Sequence, residues 1–189
     1  MPDLIAPTAR LRSSWLAARD EWGHGVHQDG SGLRDADEVD TVAGFTEWVT
    51  WLRRQSDESI PVADGWVHAT YWWIVEQDTY LGAISLRHQL NDFLLRAAGH
   101  IGYGLRPSAR GRGLATWALG VVLSHAHARG IDRCLVTCAD HNTASARTIE
   151  RNGGVLEDVR ETELGRTRRY WIDLGSGRPR NAASVHTNR

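Results

Sequence analysis

The segment Gly-His-Ile-Gly-Tyr-Gly-Leu-Arg-Pro-Ser-Ala-Arg-Gly-Arg-Gly-Leu-Ala, residues 99–115, decides the fold of this chain. In its first half larger residues alternate with smaller ones, and this period of two predicts a strand. The larger residues are Ile101, Tyr103 and Leu105. Pro107 ends the strand, and from Leu114 onward the apolar residues follow a helical period. Residues 110–115 are therefore a basic, glycine-rich turn between a strand and a helix.

This turn has the features of an anion site. The first N–H groups of a helix have no partner within the helix, and the helix dipole adds partial positive charge there. Gly111 and Gly113 lack a Cβ, so a bulky anion can approach the backbone closely, and Arg110 and Arg112 add full charges. The turn is a candidate pyrophosphate site, although it matches neither of the two common phosphate-binding glycine motifs. A merely solvated turn is the alternative.

Length and composition describe a globular chain. The 189 residues are 41% apolar and carry a net charge of −1. We expect one domain over residues 1–174 and a disordered polar tail over residues 175–189. The charge argues against a protein that binds nucleic acid through bulk charge, and no apolar run reaches bilayer length. The N-terminus lacks a signal-peptide pattern, so a cytoplasmic location is expected.

Cysteine and tryptophan each suggest a packing role. Cys134 and Cys138 lie on one face of a predicted strand, too far apart to bond to each other, and are expected to be small buried residues. No neighbouring Cys or His has the spacing of a metal ligand set, so no metal is expected. Nine tryptophans is a high number for this length. Most are expected in the core, although some could wall a substrate pocket.

Further strands and helices are predicted before and after residues 99–115. Further strands are predicted over residues 4–6, 67–76, 80–86, 131–138, 155–163 and 168–174, and further helices over residues 9–22 and 42–54. The helix after the turn is expected to bury one stripe, Leu114, Ala118, Val121, Val122 and His125. Residues 23–40 are rich in glycine and acid and are predicted to be a loop. In it, His24 and His27 are either substrate contacts or simply exposed.

Residues 110–115 fit the Arg/Gln-x-x-Gly-x-Gly/Ala signature of the GNAT superfamily of N-acetyltransferases, in the same strand–turn–helix setting. The strand at 131–138, the Asn142-x-x-Ser145 pair and residues 149–154 also resemble that family. A narrower group of predicted acetyltransferases matches more closely, in four short motifs. These are Arg-His-x-Leu-Asn (87–91), Gly-His-Ile-Gly-Tyr (99–103), Arg-Pro-Ser (106–108) and Tyr-Trp-Ile-Asp (170–173).

The resemblance implies an α/β fold, with a mixed sheet of about seven strands flanked by helices and a splayed central strand pair. It also implies acetyl-CoA as co-substrate, with the pantetheine arm entering the splay like an added strand. The cofactor contacts it assigns are Gly104, Leu105, Arg106, Arg110, Gly111, Arg112, Gly113, Leu114, Ala115, Thr116, Asn142 and Ser145. For Asn142 a plain helix N-cap is an alternative that is compatible with this role.

The catalytic residues are less well defined. Many GNAT enzymes place a Tyr seven residues after the Asn, as general acid for the leaving thiolate, but this chain has Ile149 there. Ser145 is the implied substitute, and a thiolate could also leave without an acid. His100 stands where many members carry a Glu, and it is the first candidate for the general base. His88 and Glu163 are the other candidates, and the amine could also enter as its free base.

The leading prediction is transfer of acetyl to the primary amine of a small molecule, by direct attack in a ternary complex. Such an enzyme predicts a closed pocket walled by tryptophan. Acetylation of a protein or peptide N-terminus is the alternative and predicts an open groove over residues 23–40. A non-catalytic acyl-CoA sensor is the second alternative. The composition suggests a bacterial source, a homodimer is left open, and no nucleic-acid or membrane partner is expected.

Overall fold

The computed structural model describes residues 1–23 and 25–175, and there the chain forms one seven-stranded sheet. The strands are β1 (Pro2–Ile5), β2 (Ala69–Glu76), β3 (Thr79–Arg87), β4 (Ile101–Leu105), β5 (Arg133–Ala139), β6 (Val155–Thr162) and β7 (Gly165–Asp173). The α-helices are α1 (Arg12–Trp22), α2 (Val42–Arg54), α3 (Leu114–Ala128) and α4 (Thr143–Arg151). His24 and the predicted tail from residue 176 onward lie outside the described residues.

The order of elements confirms the predicted α/β fold with a mixed sheet. Helix α2 has the predicted limits, because Thr41 caps it through a hydrogen bond from the Gly44 N–H of 2.9 Å. The α-helix predicted over residues 9–22 begins three residues later than predicted. Ala9–Leu11 is a 3-10 turn, and the α-helix starts only at Arg12.

A short π-helix (Leu94–Ala98) was not predicted from the sequence. The Asn91 side chain accepts a hydrogen bond from the Leu94 N–H at 2.9 Å, close to where this turn begins. Gly99, with a φ of 65°, ends it. The π-helix could not be predicted, because five residues are too few to show a helical period in the sequence.

The sheet has the strand order β1-β2-β3-β4-β5-β7-β6, and the strands part in its middle. All neighbouring strands are antiparallel except β4 and β5, which are parallel. This parallel pair has one register partner, Ile101 with Val136, whereas β3 and β4 pair along five residues. Beyond Ile101 the two strands diverge, which confirms the predicted splay. We call the space between them the gap.

Two apolar cores lie on opposite faces of the sheet. Helices α3 and α4 cover one face, and α1 and α2 cover the other. Of the predicted α3 stripe, Leu114, Ala118 and Val122 are buried, whereas Val121 is only half-buried and His125 is exposed. The buried face instead includes Leu119, Leu123 and Ala126. His125 lies outside this face, where its ring stacks on Trp72 with centroids 5.1 Å apart.

Cys134 and Cys138 are free thiols and buried, as predicted. Trp15, Trp48 and Trp73 are also buried, and they form a chain of ring contacts in the core under α1 and α2. In the described part of the chain no helix is long and apolar enough to cross a membrane.

Candidate functional site

The hydrogen-bonding direction of β4 determines which of its backbone groups face the gap. The Arg87 N–H donates to the His100 C=O at 2.8 Å, and the Arg106 N–H donates to the Leu81 C=O at 2.9 Å. In an antiparallel pair alternate residues bond to the same neighbour. The even-numbered residues of β4 therefore bond toward β3, and the odd-numbered ones point toward β5.

This direction leaves the backbone groups of Tyr103 and Leu105 facing the gap, where β5 has already diverged. The prediction for Leu105 is compatible with the geometry. Gly104 and Arg106 were also predicted to pair with a ligand in the gap, but their backbones turn toward β3, so this part of the prediction is corrected. Sequence reasoning missed Tyr103, because alternation groups side chains by face and does not tell which neighbouring strand a backbone bonds to. The Leu105 C=O already accepts a hydrogen bond from Arg110 Nε at 3.2 Å.

The glycine-rich turn leaves the N-terminus of α3 accessible. Gly111 and Gly113 have φ values of 77° and 76°, in the left-handed region that favours glycine. A Cβ at either position would meet no atom within 4 Å. Gly113 is the N-cap residue and supplies no side-chain cap, and the Trp117 N–H bonds back to the Gly113 C=O. The N–H groups of residues 114–116 therefore precede the helical ladder, as an anion site requires.

The two arginines of the turn differ in position. Arg112 donates from Nη2 to Glu76 Oε2 at 2.7 Å, so a carboxylate offsets much of its charge. The Arg110 guanidinium lies over the Trp22 ring, 4.8 Å from its centroid, and has no carboxylate partner in the described part. Arg110 is therefore the better placed of the two for an anion at the turn.

Arg106 is a structural residue in this geometry. Its guanidinium binds the Glu21 carboxylate and the Tyr80 C=O, the latter at 3.1 Å. The Ser108 N–H and hydroxyl also donate to Glu21. Arg106 and Ser108 together lower the pKa of Glu21 from 4.5 to about 2. This cluster joins the end of α1 to the end of β4.

Ser145 and Tyr103 meet next to the gap. The Tyr103 Oη lies 2.7 Å from Ser145 Oγ and 3.3 Å from the Ser145 C=O. Asn142 Oδ1 accepts a hydrogen bond from the Ser145 N–H at 3.0 Å, so Asn142 is the N-cap of α4. Burial raises the pKa of the Tyr103 hydroxyl above its ordinary value, so that hydroxyl is neutral. Ile149 is fully buried in the core.

His100 occupies a buried structural position. It is 7% exposed, and its Nδ1 accepts a hydrogen bond from the Leu135 N–H at 3.0 Å. Burial, and secondarily Arg87, lowers the pKa of His100 to about 4. An imidazole with this pKa and an occupied lone pair is a weak base at neutral pH. The geometry therefore favours a structural role over the predicted base.

His88 lies at the other end of α3 from the turn. Its Nε2 is 2.9 Å from Thr70 Oγ1, and its Nδ1 is 3.0 Å from Glu58 Oε1 and 2.9 Å from Arg129 Nη2. Burial is the main cause that lowers the pKa of His88. Because Arg129 is the C-cap residue of α3, the structure does not bring His88 to the anion turn.

Glu163 lies against the π-helix. It accepts a hydrogen bond from Arg96 Nε at 3.2 Å, and this contact lowers the pKa of its carboxyl. Ala97, which follows Arg96 in the π-helix, accepts a hydrogen bond through its C=O from Thr137 Oγ1 of β5 at 2.9 Å. Cys138 faces the α3 and α4 core, so its neighbour Thr137 faces the opposite side. The π-helix and Glu163 thus flank β5 on the α1 and α2 side.

The predicted loop over residues 23–40 covers β4 on that same side. A Cβ at Gly30 would lie 2.4 Å from the Gly102 carbonyl oxygen. A Cβ at Gly104 would lie 2.9 Å from the Asp29 carbonyl oxygen. These glycines let the loop backbone lie directly on the strand, beside the gap.

An exposed pair in this loop, His27 and Asp29, was not recognised from the sequence as a unit. His27 Nε2 lies 3.4 Å from Asp29 Oδ1, and this contact is the main cause that raises the pKa of His27. In the described part of the chain no group of three or more His, Cys, Asp or Glu residues could hold a metal ion.

A cavity with aromatic walls lies beyond the loop. It has a volume of about 230 Å³ and is lined by Trp51, Trp66 and Arg34, among others. The Arg34 guanidinium lies 3.9 Å from the centroid of the Trp51 ring, and the Trp51 and Trp66 rings meet edge to face at 5.9 Å. The cavity reaches toward β2, where Trp51 packs on Tyr71.

Comparison with protein families gives a match over most of the chain. Residues 33–155 match the family model described as an acetyltransferase (GNAT) domain. The matched range includes β4, the turn, α3, β5 and α4. A search among curated proteins found no match.

Solved structures of similar fold cover the chain almost entirely. Mycobacterium smegmatis RimJ, in complex with CoA-disulfide, is 19% identical with a TM-score of 0.69, covering 92% of this chain and 82% of that one. The ribosomal-protein-S5-alanine acetyltransferase of Vibrio fischeri is 18% identical with a TM-score of 0.68, covering 94% of each. The microcin C7 self-immunity acetyltransferase MccE, with acetyl-CoA and AMP, is 16% identical with a TM-score of 0.65, covering 92% of each.

Proposed function

The chain belongs to the GNAT family of acetyltransferases and is an acetyl-CoA-dependent acyltransferase, and from this premise we propose that it transfers the acetyl group to the primary amine of a small molecule. One observation carries the donor half of this proposal. Strands β4 and β5 part after Ile101 and Val136, and the backbone groups of Tyr103 and Leu105 face the resulting gap. This gap opens toward the accessible N-terminus of α3.

The donor is held by backbone groups at two places. Tyr103 and Leu105 pair with the amides of the pantetheine arm, as an edge strand pairs with an added strand. The N–H groups of residues 114–116 and the Arg110 guanidinium bind the pyrophosphate, since a helix N-terminus favours negative charge. Asn142 and Ser145 approach the arm from α4.

The amine reaches the thioester from the α1 and α2 face, between the loop over β4 and the π-helix over β5. Its nitrogen attacks the thioester carbon, a C–N bond forms, and the C–S bond breaks with its electron pair going to sulfur. The amine must lose one proton. We assign this proton to His27, because the neighbouring Asp29 raises the pKa of its imidazole. Glu163 stays a second candidate, although Arg96 lowers the pKa of its carboxyl.

A small acceptor is supported by the cavity that Trp51, Trp66 and Arg34 line, because Trp51 packs on the same α1 and α2 face of the sheet. Flat indole faces and a guanidinium suit a compact planar group better than a long chain.

The cytoplasmic location, the bacterial source and the lack of a nucleic-acid or membrane partner are predictions that still rest on sequence.

A protein N-terminus is the second candidate acceptor. The Mycobacterium smegmatis and Vibrio fischeri structures are RimJ and a ribosomal-protein-S5-alanine acetyltransferase. In this chain Val26 of the loop and Leu95 of the π-helix are 47% and 43% exposed, on the two elements that flank the gap. Apolar side chains in these places suit a peptide that leads its amino terminus into the gap.

Thiol release from acetyl-CoA, with mass spectrometry of the acceptor, separates these candidates. The panel contains small primary amines and short peptides with free amino termini. A product from a small amine supports the leading proposal, and a product from peptides alone supports the second. Coenzyme A binding without turnover on any acceptor would support the acyl-CoA sensor instead.

A further inference from the structure

Tyr103 is a half-buried residue beside the gap, and the proposed function leaves the role of its hydroxyl open. Its backbone faces the gap, and its Oη reaches across to Ser145 Oγ at 2.7 Å. Ser145 lies in the first turn of α4, which follows β5. The pair therefore joins the β4 side of the gap to the β5 side, next to the place where the thioester arm is proposed to lie.

We propose, on the premise of the proposed function, that Tyr103 is a positioning residue for the departure of the thiolate. Tyr103 donates its hydroxyl hydrogen to Ser145 Oγ, and Ser145 is then free to donate its own hydroxyl hydrogen to the sulfur of coenzyme A. One turn further along α4, Thr148 is a second hydroxyl beside Tyr103, but it is buried, and so is Ile149 after it.

The direction of the Tyr103–Ser145 hydrogen bond follows from their chemistry. A phenol is a stronger hydrogen-bond donor than an aliphatic alcohol, and the Ser145 C=O at 3.3 Å is a second acceptor for the same hydrogen. Burial keeps the Tyr103 hydroxyl protonated by raising its pKa. Accepting from Tyr103 polarises the Ser145 hydroxyl, so its outgoing hydrogen bond becomes stronger.

The pair stabilises the thiolate by a hydrogen bond and not by giving up a proton. A thiol has a pKa of about 8.5 and a phenol one of about 10, and burial raises that of Tyr103 further. Transfer of the Tyr103 proton to the thiolate is therefore uphill. The C–S electron pair goes to sulfur, Ser145 donates a hydrogen bond to it, and solvent protonates the thiolate after it leaves. The proton of the attacking amine goes to His27 or to water.

The charged and titratable groups around Tyr103 are few. Cys138 of β5 and Asp29 of the loop act on its hydroxyl electrostatically, and Ser145 and Thr148 of α4 are its hydrogen-bonding neighbours. Cys138 is a buried thiol with Ser145 as a side-chain hydrogen-bonding neighbour, and burial raises its pKa. Asp29 is exposed on the opposite side of β4. Of these neighbours, Tyr103 is the one on β4 whose hydroxyl lies 2.7 Å from Ser145 Oγ, so this pair links the two sides of the gap.

The test uses Tyr103→Phe, Ser145→Ala, the double variant and Tyr170→Phe. Tyr170 is a matched control, because it is a tyrosine of the same sheet whose Oη also bonds to α4, at 3.2 Å from Glu150 Oε1. We expect Tyr103→Phe to lower kcat about 10-fold, with the KM for acetyl-CoA changed less than about twofold. The double variant is expected to be no slower than Ser145→Ala, since the two residues act as a unit. Equal kcat in Tyr103→Phe and Tyr170→Phe, or additive losses in the double variant, would overturn the proposal.

A second measurement does not depend on the acceptor. Coenzyme A itself is bound to each variant, and the thiolate absorbance is titrated against pH as a difference from the free protein. The proposal predicts a bound-thiol pKa about one unit lower in wild type than in Tyr103→Phe, with Tyr170→Phe like wild type. Identical pKa values in all three contradict it. Lack of turnover on every acceptor, together with this pKa difference, would remove the proposed function and keep only the stabilisation of a bound thiolate by the Tyr103–Ser145 pair.

Discussion

At the scale of single residues, His100 shows how burial decides between catalysis and structure. Its folded pKa of about 4 lies below the ordinary 6.5, because burial disfavours the imidazolium. The unfolded chain therefore binds a proton more readily between these two values. The contribution of His100 to stability is fully present above pH 6.5 and is lost as pH falls toward 4. The difference corresponds to about 3 kcal/mol over that range.

The variant His100→Asn removes this titration and keeps an acceptor for the Leu135 N–H. We expect the free energy of unfolding of wild type to fall by about 3 kcal/mol more than that of the variant between pH 7 and pH 4. Denaturant unfolding at both pH values measures the difference. Activity at pH 7 should stay within about threefold, whereas loss of a general base costs about 100-fold or more. A loss of that size would show that His100 acts as the general base.

Glu21 gives a second prediction on how stability depends on pH, here for an acidic side chain. Arg106 and Ser108 lower its pKa from 4.5 to about 2, so its stabilising contribution is present above pH 4.5 and is lost as pH falls through 2. We expect Glu21→Gln to lower the Tm at pH 7 and to have little effect at pH 2. Thermal unfolding followed by circular dichroism at the two pH values checks this. A Tm difference that does not depend on pH would show that packing, and not charge, is the contribution of Glu21.

At the scale of elements, the loop on β4 depends on glycines whose positions the sequence does not reveal. Gly25 and Gly30 both lie in this loop with similar φ values of 75° and 77°. A Cβ at Gly30 would lie 2.4 Å from the Gly102 carbonyl oxygen, whereas a Cβ at Gly25 would meet no atom within 4 Å. Of these two loop glycines, Gly30 is therefore the one that the close approach of the loop to the strand requires.

Replacement of each glycine by alanine separates backbone strain from contact. Both substitutions carry the cost of a positive φ, about 1 kcal/mol. We expect Gly30→Ala to destabilise the fold further and to raise the KM for the amine several-fold, because the loop is pushed away from the acceptor side of β4. Coenzyme A binding should be unchanged in Gly25→Ala, because the added Cβ meets no atom within 4 Å. Steady-state kinetics and calorimetry measure these effects, and equal KM values for Gly25→Ala and Gly30→Ala would argue against the loop as part of the acceptor site.

The same scale shows what the sequence could and could not predict. The amphipathic pattern of α2 and the alternation of β4 were sufficient to predict both elements, because they depend on local periodicity. The gap followed from a resemblance and not from periodicity. Alternation tells which side chains share a face, but not which neighbour the backbone bonds to. For that reason Gly104 and Arg106 were predicted, together with Leu105, to pair with the pantetheine arm, and Tyr103 was not.

At the scale of the whole molecule, the site is assembled from distant parts of the chain. Tyr103 and Ser145 come from elements on opposite sides of the gap, and Glu163 comes near the π-helix through Arg96. Contacts between such distant residues leave no trace in local patterns. The sequence therefore supplied the anion turn, which is contiguous, and missed the Tyr103–Ser145 pair, which is not.

The central claim is that the gap and the N-terminus of α3 hold the acetyl donor. The two ends of α3 offer a matched pair of substitutions, because Gly113 and Gly130 have φ values of 76° and 81° and both have open space at the Cβ position. Titration calorimetry with coenzyme A on wild type, Gly113→Trp and Gly130→Trp tests the claim most directly. We predict that Gly113→Trp weakens binding at least about 10-fold, because the indole covers the anion site, and that Gly130→Trp binds like wild type. Equal affinity in all three proteins would contradict the assignment of the donor site.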